Sequence, residues 1–591
     1  MFDISVLCLI VSIVIYRHKS KTSCSSKVYF ITSVGTLYAL VSLWESYVNN
    51  IVPDPYLILL FIHLQQDEAF HIPQAKAYCN GRYNVWDGKL TTPPGLYIFA
   101  LLKELASWTL TGNFCDTNAL RSLNRLALFI SYLYILNCRF HITHSYKDAI
   151  HTAFNIALFP PLFFTSALFY TDILSLCSVL VMYKFVLDKK ESRHNTLGSL
   201  WLFIVGVISL TIRQTNIFWV TIFAGGLELV NTLVSKEPPE VSPDMISNGR
   251  IQDVLLNEAS YEDFLIFSFS VIMSAICQPK FVLREFRPYI ALLITFGGFV
   301  FWNGGVALGD KNNHVATIHL PQMLYIWPLI TFFSVPLMIP IGLIKIQKMK
   351  NLILFNSHST RQLFQSFTKL MRYLIGATAI ILVVIKYNTI IHPFTFADNR
   401  HYVFYVFRYT ILRHPAIRFL LTPVYIICSF FVYLTLSTPT PPVTQLENSN
   451  PYPAIRSGYR SRAVNNSLFE YRGPKISFAL ILLVTTTLSL TTSPLVEPRY
   501  FIIPWVMLRL NMPLVFSEKK ILQSANMSAT TISKADSSIK EKDQCSHLIS
   551  NYIIWIETFW FLLINLATGY IFLYRGFEWP QEPGTIQRFM W

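Results

Sequence analysis

Residues 65–97, "QQDEAFHIPQAKAYCNGRYNVWDGKLTTPPGLY", form a polar segment with acids, a histidine and aromatic residues between strongly apolar stretches. No glycine and only one proline occur between Asp67 and Tyr78, so the pattern predicts a short helix there. At helical spacing Asp67, His71, Gln74 and Tyr78 share one face. A carboxylate on such a face can accept a proton from a substrate hydroxyl, which is general-base chemistry.

Two purely structural explanations compete with this chemical one. Asp67 and Glu68 suit the first turn of a helix, where the helix dipole favours negative charge. Thr92, in "TTPPGLY", suits an N-cap that is followed by prolines in the first helical turn. The N-terminus of that second helix can bind phosphate if it faces a cavity, or it can simply begin a membrane span.

The elements that position these residues are predicted to be membrane helices. The chain has 591 residues, of which 53% are hydrophobic and only 14% are charged, whereas soluble domains carry about 25% charged residues. Many apolar runs approach or exceed the roughly 18–20 residues that cross a bilayer, and they predict about 11–14 spans. We therefore expect an all-α, polytopic membrane protein with one membrane domain over residues 1–591.

The formal net charge is +15, and the basic residues lie beside the apolar runs instead of forming one patch. Basic clusters at residues 17–27, 184–193, 345–372 and 456–475 are predicted to be cytoplasmic, because positive charge favours that side. Residues 28–48 then cross the membrane, so the loop at residues 49–93 lies on the opposite side. This distribution argues against a nucleic-acid partner.

Three further stretches are predicted to be flexible polar loops, at residues 235–262, 437–475 and 517–544. The first is acidic and proline-rich, whereas the third is rich in serine and lysine. The nine cysteines include no CxxC pair, so the sequence predicts neither a zinc site nor a disulfide framework. The histidines are too dispersed to indicate a metal site.

Ionisable residues inside or beside apolar runs are costly, and they therefore tend to be functional. Arg213 lies well inside such a run, where it either lines a polar cavity or forms a structural ion pair with Asp172 or another internal acid. Arg400 and Arg499 have the side chain that binds phosphate through two parallel hydrogen bonds. Arginines at span ends also commonly extend towards the interface without further function.

Several of these segments resemble one family of enzymes. The stretch "DEAFHIPQAKAYCNGRYNVWDGKLTTPPGLY" is similar to the first lumenal loop of the dolichyl-phosphate-glucose alpha-1,2-glucosyltransferases. The segments "RQTNIFW", "GDKNNHVATIHLPQMLY", "HPFTFADNRHY", "EPRYFIIPW" and "IQRFMW" match other stretches of that family in the expected order. Residues 57–66 are a departure, since ten mostly apolar residues stand where the family runs almost directly into the Asp-Glu pair.

The resemblance implies a multi-pass membrane enzyme of the endoplasmic reticulum, with a GT-C-type helical bundle and a lumenal active site. Its donor is dolichyl phosphate glucose, and its acceptor is the diglucosylated nine-mannose dolichyl-diphosphate oligosaccharide, both of which are membrane lipids. The transfer is expected to invert the anomeric configuration and to need no cofactor, with any dependence on a divalent metal left open.

Inversion in one step needs a carboxylate base and a means of stabilising the departing phosphate. By the pattern of the family we expect Asp67 to be the base, with Glu68 as the alternative. The phosphate candidates are Lys311, Arg400, His401 and Arg499. The sugar candidates are Trp86, Tyr97 and Tyr500 for ring faces and His71, Gln74 and Asp87 for hydroxyl groups, and Asp398 and Glu497 are further substrate-binding candidates from the same polar segments.

Two other classes of function fit a polytopic protein with charges near its membrane spans. A transporter would favour repeated halves with broken helices at matching positions, and no such repeat is visible. A non-catalytic membrane regulator would tolerate the loss of both carboxylates, which an enzyme would not.

Overall fold

The computed structural model describes residues 24–52, 67–111, 115–189, 196–234, 251–309, 311, 317–355, 360–390, 399–438, 473–493, 495–513, 536–579 and 582–591. Nearly all regular structure in these residues is helical, with one two-stranded sheet near the C-terminal end. The all-α prediction is therefore confirmed.

The first half of the described chain contains nine α-helices, one of which continues a π-helical turn. They are α1 (Cys24–Ile51), α2 (Asp67–Cys79), α3 (Gly95–Thr111), α4 (Thr117–Thr143), α5 (Tyr146–Ala157), α6 (Pro160–Thr165), α7 (Asp172–Lys189), α8 (Thr196–Ile212) and, after the π-helical turn (Phe218–Phe223), α9 (Ala224–Val234).

The second half of the described residues continues with eleven α-helices and ends in a hairpin. They are α10 (Tyr261–Cys277), α11 (Pro279–Glu285), α12 (Arg287–Asn303), α13 (Gln322–Phe355), α14 (Thr360–Asn388), α15 (Tyr402–Tyr409), α16 (Ile417–Leu420), α17 (Thr422–Leu436), α18 (Ile476–Thr491), α19 (Ile502–Asn511) and α20 (Asp536–Tyr574), with a 3₁₀ turn (Pro498–Phe501) before α19. Strands β1 (Phe577–Trp579) and β2 (Glu582–Gln587) pair antiparallel.

The chain is a multi-pass membrane protein. Six helices of the described residues are long and apolar enough to cross a bilayer, and the bent pair formed by α10 and α11 adds a seventh candidate. Three shorter apolar helices accompany them. Phe301 and Trp302 of α12 are 91% and 79% exposed, which suits a surface in contact with lipid tails. The count of about 11–14 spans remains a prediction.

The three predicted flexible loops lie mostly outside the described residues. The described end of the first loop pairs with the described end of the second, where the Leu256 amide donates to the Pro474 carbonyl at 2.9 Å and the Ile476 amide to Val254 at 3.0 Å. Residues 536–544, from the third, belong to the start of α20. Residues 57–66, the departure from the family pattern, lie outside the described residues.

Helix α20 is attached to the bundle by a buried polar network. Arg509 of α19 donates to Glu557 through Nε at 2.7 Å and Nη2 at 2.6 Å, and neither side chain is exposed. Asn155 of α5 donates to the same carboxylate at 2.8 Å and accepts from Thr558 at 2.6 Å. Because lipid offers no hydrogen bonds, polar side chains of this kind join helices only when their partners are satisfied.

We expect Glu557→Ala to destabilise the protein by about 3–5 kcal/mol, because it leaves the Arg509 charge buried without its partner. The measurement is thermal unfolding of the detergent-solubilised protein. Asp188→Ala is the matched control, since the Lys184–Asp188 pair is exposed at its acid and an exposed pair contributes only about 0–1 kcal/mol. Equal unfolding temperatures for Glu557→Ala and wild type would contradict the prediction.

Candidate active site

Helix α2 is fixed to the bundle through the carboxylate of Glu68. Arg121 of α4 donates to its two oxygens through Nε and Nη2, each at 2.8 Å, and the Phe169 amide donates to Oε1 at 2.9 Å. Arg121 also donates to Asn49 at 3.0 Å. Since both buried side chains are only 1% exposed, this ion pair is a structural anchor for the start of α2.

Asp67 is the first residue of α2 and directly precedes this anchor. The sequence left open which of the two acids acts as the base. The geometry engages both oxygens of Glu68 in the Arg121 contact. The catalytic roles of Asp67 and Glu68 stay predictions.

His71 lies one turn after Asp67 and belongs to an aromatic cluster. Its Nδ1 is hydrogen-bonded to the Tyr97 hydroxyl at 2.7 Å, and its ring lies 6.2 Å from that of Tyr170. Tyr97 is buried and also contacts Tyr78 at 5.6 Å between ring centroids. Burial raises the pKa of Tyr78. The cluster thus brings His71 and Tyr97 together, but in the protein interior.

Gln74 and Asp87 shape the loop that follows α2. The Gln74 side chain donates to the Val85 carbonyl at 2.7 Å and accepts from the Asp87 amide at 3.0 Å, while the Asp87 carboxylate accepts from the Lys89 amide at 3.0 Å. Trp86 lies between these contacts with its ring 5.9 Å from Tyr97. Within the described part of the chain its buried Nε1 has no hydrogen-bond partner.

A disulfide bond joins Cys79, the last residue of α2, to Cys115, just before α4, with 6.3 Å between the Cα atoms. Sequence analysis missed this bond because the cysteines lie 36 residues apart and show no CxxC spacing. Only the packing of α2 beside the start of α4 reveals the pair. The disulfide and the Glu68–Arg121 contact therefore hold the two ends of α2.

A second polar cluster joins Asp172, Arg213 and Arg499. Arg213 donates to Asp172 Oδ1 at 2.7 Å, and Arg499 Nη1 lies 4.0 Å from Asp172 Oδ2. Arg499 also donates to Glu497 through Nε at 3.0 Å and Nη2 at 2.6 Å. Tyr500 lies under the Arg213 guanidinium at 5.4 Å. The ion pair with Asp172, one of the two explanations proposed for Arg213, is therefore present.

The clusters are connected through Tyr170. Its ring contacts His71, and it also lies under the Arg499 guanidinium at 5.2 Å. The predicted residues of the first loop and those of "EPRYFIIPW" thus meet at one end of the bundle.

The "RQTN" segment and the residues at the start of "GDK" contact backbone carbonyls of the first loop. Gln214 donates to the Thr91 carbonyl at 2.6 Å, and the Leu308 and Gly309 amides donate to Thr91 and Leu90 at 3.1 and 3.0 Å. Lys311, a predicted phosphate ligand, is exposed and donates to the Asn303 carbonyl. It lies beside the cluster in sequence, but no contact joins it to the cluster in the described residues.

Arg400 and His401 pack against the C-terminal segment. Arg400 donates to Gln587 at 3.4 Å, and His401 Nδ1 lies 3.2 Å from the Trp591 carbonyl. Beside them, burial raises the pKa of Tyr402 to about 12. Asp398 lies outside the described residues. These contacts connect Arg400 and His401 to the C-terminal segment, whereas Arg499 and His71 both contact Tyr170.

With this geometry established, comparison with known proteins identifies the family. The profile of the DIE2/ALG10 family matches residues 62–510. The chain belongs to this family. The match includes the α2 anchor, the first-loop aromatic cluster and the Asp172–Arg499 cluster.

Relatives in the DIE2/ALG10 family match almost the whole chain. A protein of Aspergillus fumigatus named Dol-P-Glc:Glc(2)Man(9)GlcNAc(2)-PP-Dol alpha-1,2-glucosyltransferase is 37% identical over 95% of this chain and 97% of its own length. A protein of the same name from Emericella nidulans is 36% identical over 93% and 96%, and one from Arabidopsis thaliana is 26% identical over 94% and 99%. No solved structure matches the chain.

We expect peptide mapping under non-reducing conditions to recover a Cys79–Cys115 linked pair. Cys79→Ser should lower the free energy of unfolding by about 2–4 kcal/mol, because the unfolded chain is no longer cross-linked. Cys138→Ser is the control, since Cys138 is a free buried cysteine. Recovery of both Cys79 and Cys115 as free thiols from the native protein would contradict the prediction.

The contact between the first loop and residues 308–309 depends on Gly309. A Cβ atom there would lie 2.2 Å from the Gly88 carbonyl oxygen and 2.6 Å from that of Leu90. We expect Gly309→Ala to separate the two segments, and limited proteolysis should then cleave the first loop more rapidly. Gly305→Ala is the control, since its Cβ would meet nothing closer than 3.8 Å. Identical cleavage of both variants would refute this role.

Proposed function

We propose that this protein is an inverting alpha-1,2-glucosyltransferase that moves glucose from dolichyl phosphate glucose to the diglucosylated nine-mannose dolichyl-diphosphate oligosaccharide. The observation that carries the proposal is the match, over nearly the full length of both chains, to relatives that bear the name of this activity. Membership of the DIE2/ALG10 family favours this function over transport.

Asp67 is the general base in this proposal. It takes the proton from the 2-hydroxyl of the acceptor's terminal glucose while that oxygen attacks the donor's anomeric carbon. The bond from this carbon to the phosphate oxygen breaks, and dolichyl phosphate leaves with the bonding electrons. Glu68 is unsuited to the role, since Arg121 occupies both of its oxygens.

Arg499 is the best supported of the predicted phosphate ligands. Two ring contacts, through Tyr170, connect it to His71 on the helix that begins with Asp67. A guanidinium aimed at the departing phosphate stabilises the charge that develops there, and it does so more strongly where water is excluded. The contacts described for Arg400 and His401 are with the C-terminal segment, and Lys311 is exposed to solvent. Because the contacts of Arg499 lead instead to α2, these three residues are weaker candidates.

Trp86 is the strongest sugar-binding candidate. Its Nε1 has no hydrogen-bond partner in the described residues, so it can donate to a sugar hydroxyl while its ring covers the apolar face of the sugar. Gln74 and Asp87 support this role indirectly by holding the loop on both sides of Trp86. Tyr97 is buried in its contact with His71 and acts through that residue.

The location that best suits this activity is the membrane of the endoplasmic reticulum, with the first loop in the lumen. The Cys79–Cys115 bond supports a lumenal loop, because disulfides persist in oxidising compartments and are rare in the cytosol. Residues 308–309 and the Glu497–Tyr500 segment contact the same polar end of the bundle and belong to that side.

The test is to express Asp67→Asn and Glu68→Gln in a host strain that lacks this activity and to measure its lipid-linked oligosaccharides. We expect Asp67→Asn to fold normally but to lower the transfer rate by about 10²–10⁴-fold, which is the usual contribution of a general base. The host should then accumulate the two-glucose oligosaccharide. Glu68→Gln should instead reduce thermal stability, because it weakens the anchor to Arg121.

Protein amounts in the membrane fraction serve as the control for both variants. Near wild-type transfer by Asp67→Asn would remove the base assignment. If the wild-type chain itself did not restore the three-glucose oligosaccharide, the glucosyltransferase proposal would fail and a non-catalytic role would replace it.

A further inference from the structure

The cluster around Asp172 contains one acid between two arginines. Asp172 begins α7, and its side chain is only 1% exposed. Its Oδ1 accepts from Arg213, whereas Oδ2 faces Arg499 at 4.0 Å and accepts no hydrogen bond within the described residues. A buried carboxylate in this position brings together two cations that would otherwise repel each other.

A tyrosine ring lies against each of these guanidinium groups. Tyr500 lies under Arg213, and Tyr170 lies under Arg499. Tyr500 directly follows Arg499 in the chain, and Tyr170 lies two residues before Asp172. The contacts therefore join these two segments to each other and to Arg213. Stacking of this kind orients a guanidinium and leaves its N–H edges available to a ligand.

Arg213 retains donors for such a ligand. Its Nη1 is bound to Asp172, but its other guanidinium nitrogens make no hydrogen bond within the described residues, and its side chain is 16% exposed. Gln214, the next residue, contacts Thr91 of the first loop. The free edge of Arg213 therefore lies at the polar end of the bundle and beside the first loop.

We propose that Arg213 and Arg499 together bind the phosphate of the lipid-linked glucose donor, and that Asp172 is the positioning residue that holds the two guanidinium groups side by side. This inference rests on the proposed glucosyltransferase function and extends it to two residues, Asp172 and Arg213. The charges of Asp172 and Glu497 balance those of Arg213 and Arg499. Two guanidinium groups can share the oxygens of one phosphate through charge-assisted hydrogen bonds.

The reaction explains why two cations are useful there. The donor phosphate is a diester with one negative charge, and the departing dolichyl phosphate is a monoester with a charge of about −1.5 to −2 at neutral pH. The charge on the phosphate therefore rises as the glucosyl bond breaks. Arginines already oriented by Asp172 meet that charge without moving, which is how electrostatic preorganisation lowers a barrier.

The experiment compares Arg213→Gln with the double variant Asp172→Asn/Arg213→Gln. We expect Arg213→Gln to lower kcat/KM for the donor by about 10- to 100-fold, because one or two charge-assisted hydrogen bonds are lost. The double variant removes one charge of each sign, so it should regain the thermal stability lost in the single variant while transfer remains low.

Direct binding separates a phosphate ligand from a purely structural residue. A short-chain polyprenyl monophosphate should raise the unfolding temperature of the wild-type protein, since a ligand that binds only the folded state stabilises it. We expect this rise to disappear in the double variant. The matched control is the double variant Lys189→Gln/Glu228→Gln, which removes an ion pair between α9 and the other end of α7. The control should retain the rise in unfolding temperature.

Wild-type transfer and wild-type ligand stabilisation in the double variant would overturn this inference while leaving the glucosyltransferase proposal intact. Loss of stabilisation by a polyprenyl diphosphate in the double variant, with stabilisation by the monophosphate retained, would also overturn it, because the site would then suit the acceptor lipid. Absence of glucose transfer by the wild-type chain would instead defeat the proposed function itself.

Discussion

The contact between Arg121 and Glu68 determines where the polar first loop meets the membrane bundle. Helix α2 carries a polar face, so apolar burial alone cannot hold it in place. Glu68 solves this by accepting hydrogen bonds from α4 and from the Phe169 amide at the same time. Three separate parts of the chain thus converge on one carboxylate. Because it is buried, either partner alone would be left with an uncompensated charge, which ties the loop and the bundle to one arrangement.

The same chemistry serves a different purpose according to its exposure. Arg509 and Glu557 are both fully buried, and their contact joins α19 to α20. Arg213 pairs with an acid that is equally buried, yet its own side chain is partly exposed. In the Arg509–Glu557 pair, both charges are buried and pair with each other. In the second pair, the Arg213 guanidinium keeps donors that make no hydrogen bond within the described residues, and this difference separates a structural pair from a candidate binding site.

The sequence predicted the fold class and most members of the polar segments, since apolar runs and intramembrane charges are local features. It named Asp172 as one possible partner of Arg213, but it could not choose among the alternatives or predict the other partners, because these depend on how helices pack. Asp172 lies 41 residues from Arg213, and nothing in their spacing indicates that Arg499 faces the same carboxylate. The Cys79–Cys115 bond was missed for the same reason. Arg400 was grouped with Arg499 by residue type alone, whereas the fold surrounds it with the C-terminal segment.

A transfer reaction of the proposed kind moves charge in two directions, since a proton passes to a base while negative charge accumulates on a phosphate. The candidate base, Asp67, and the candidate cation, Arg499, each lie beside an acid that pairs with an arginine. Asp67 precedes Glu68, which pairs with Arg121. Arg499 faces Asp172, which pairs with Arg213. Tyr170 contacts both Arg499 and His71, which lies one turn after Asp67. In the proposed reaction, packed rings and paired charges control the distance between Arg499 and helix α2, which begins with Asp67. In a site with little water such control matters, because electrostatic stabilisation falls rapidly as a charge is displaced.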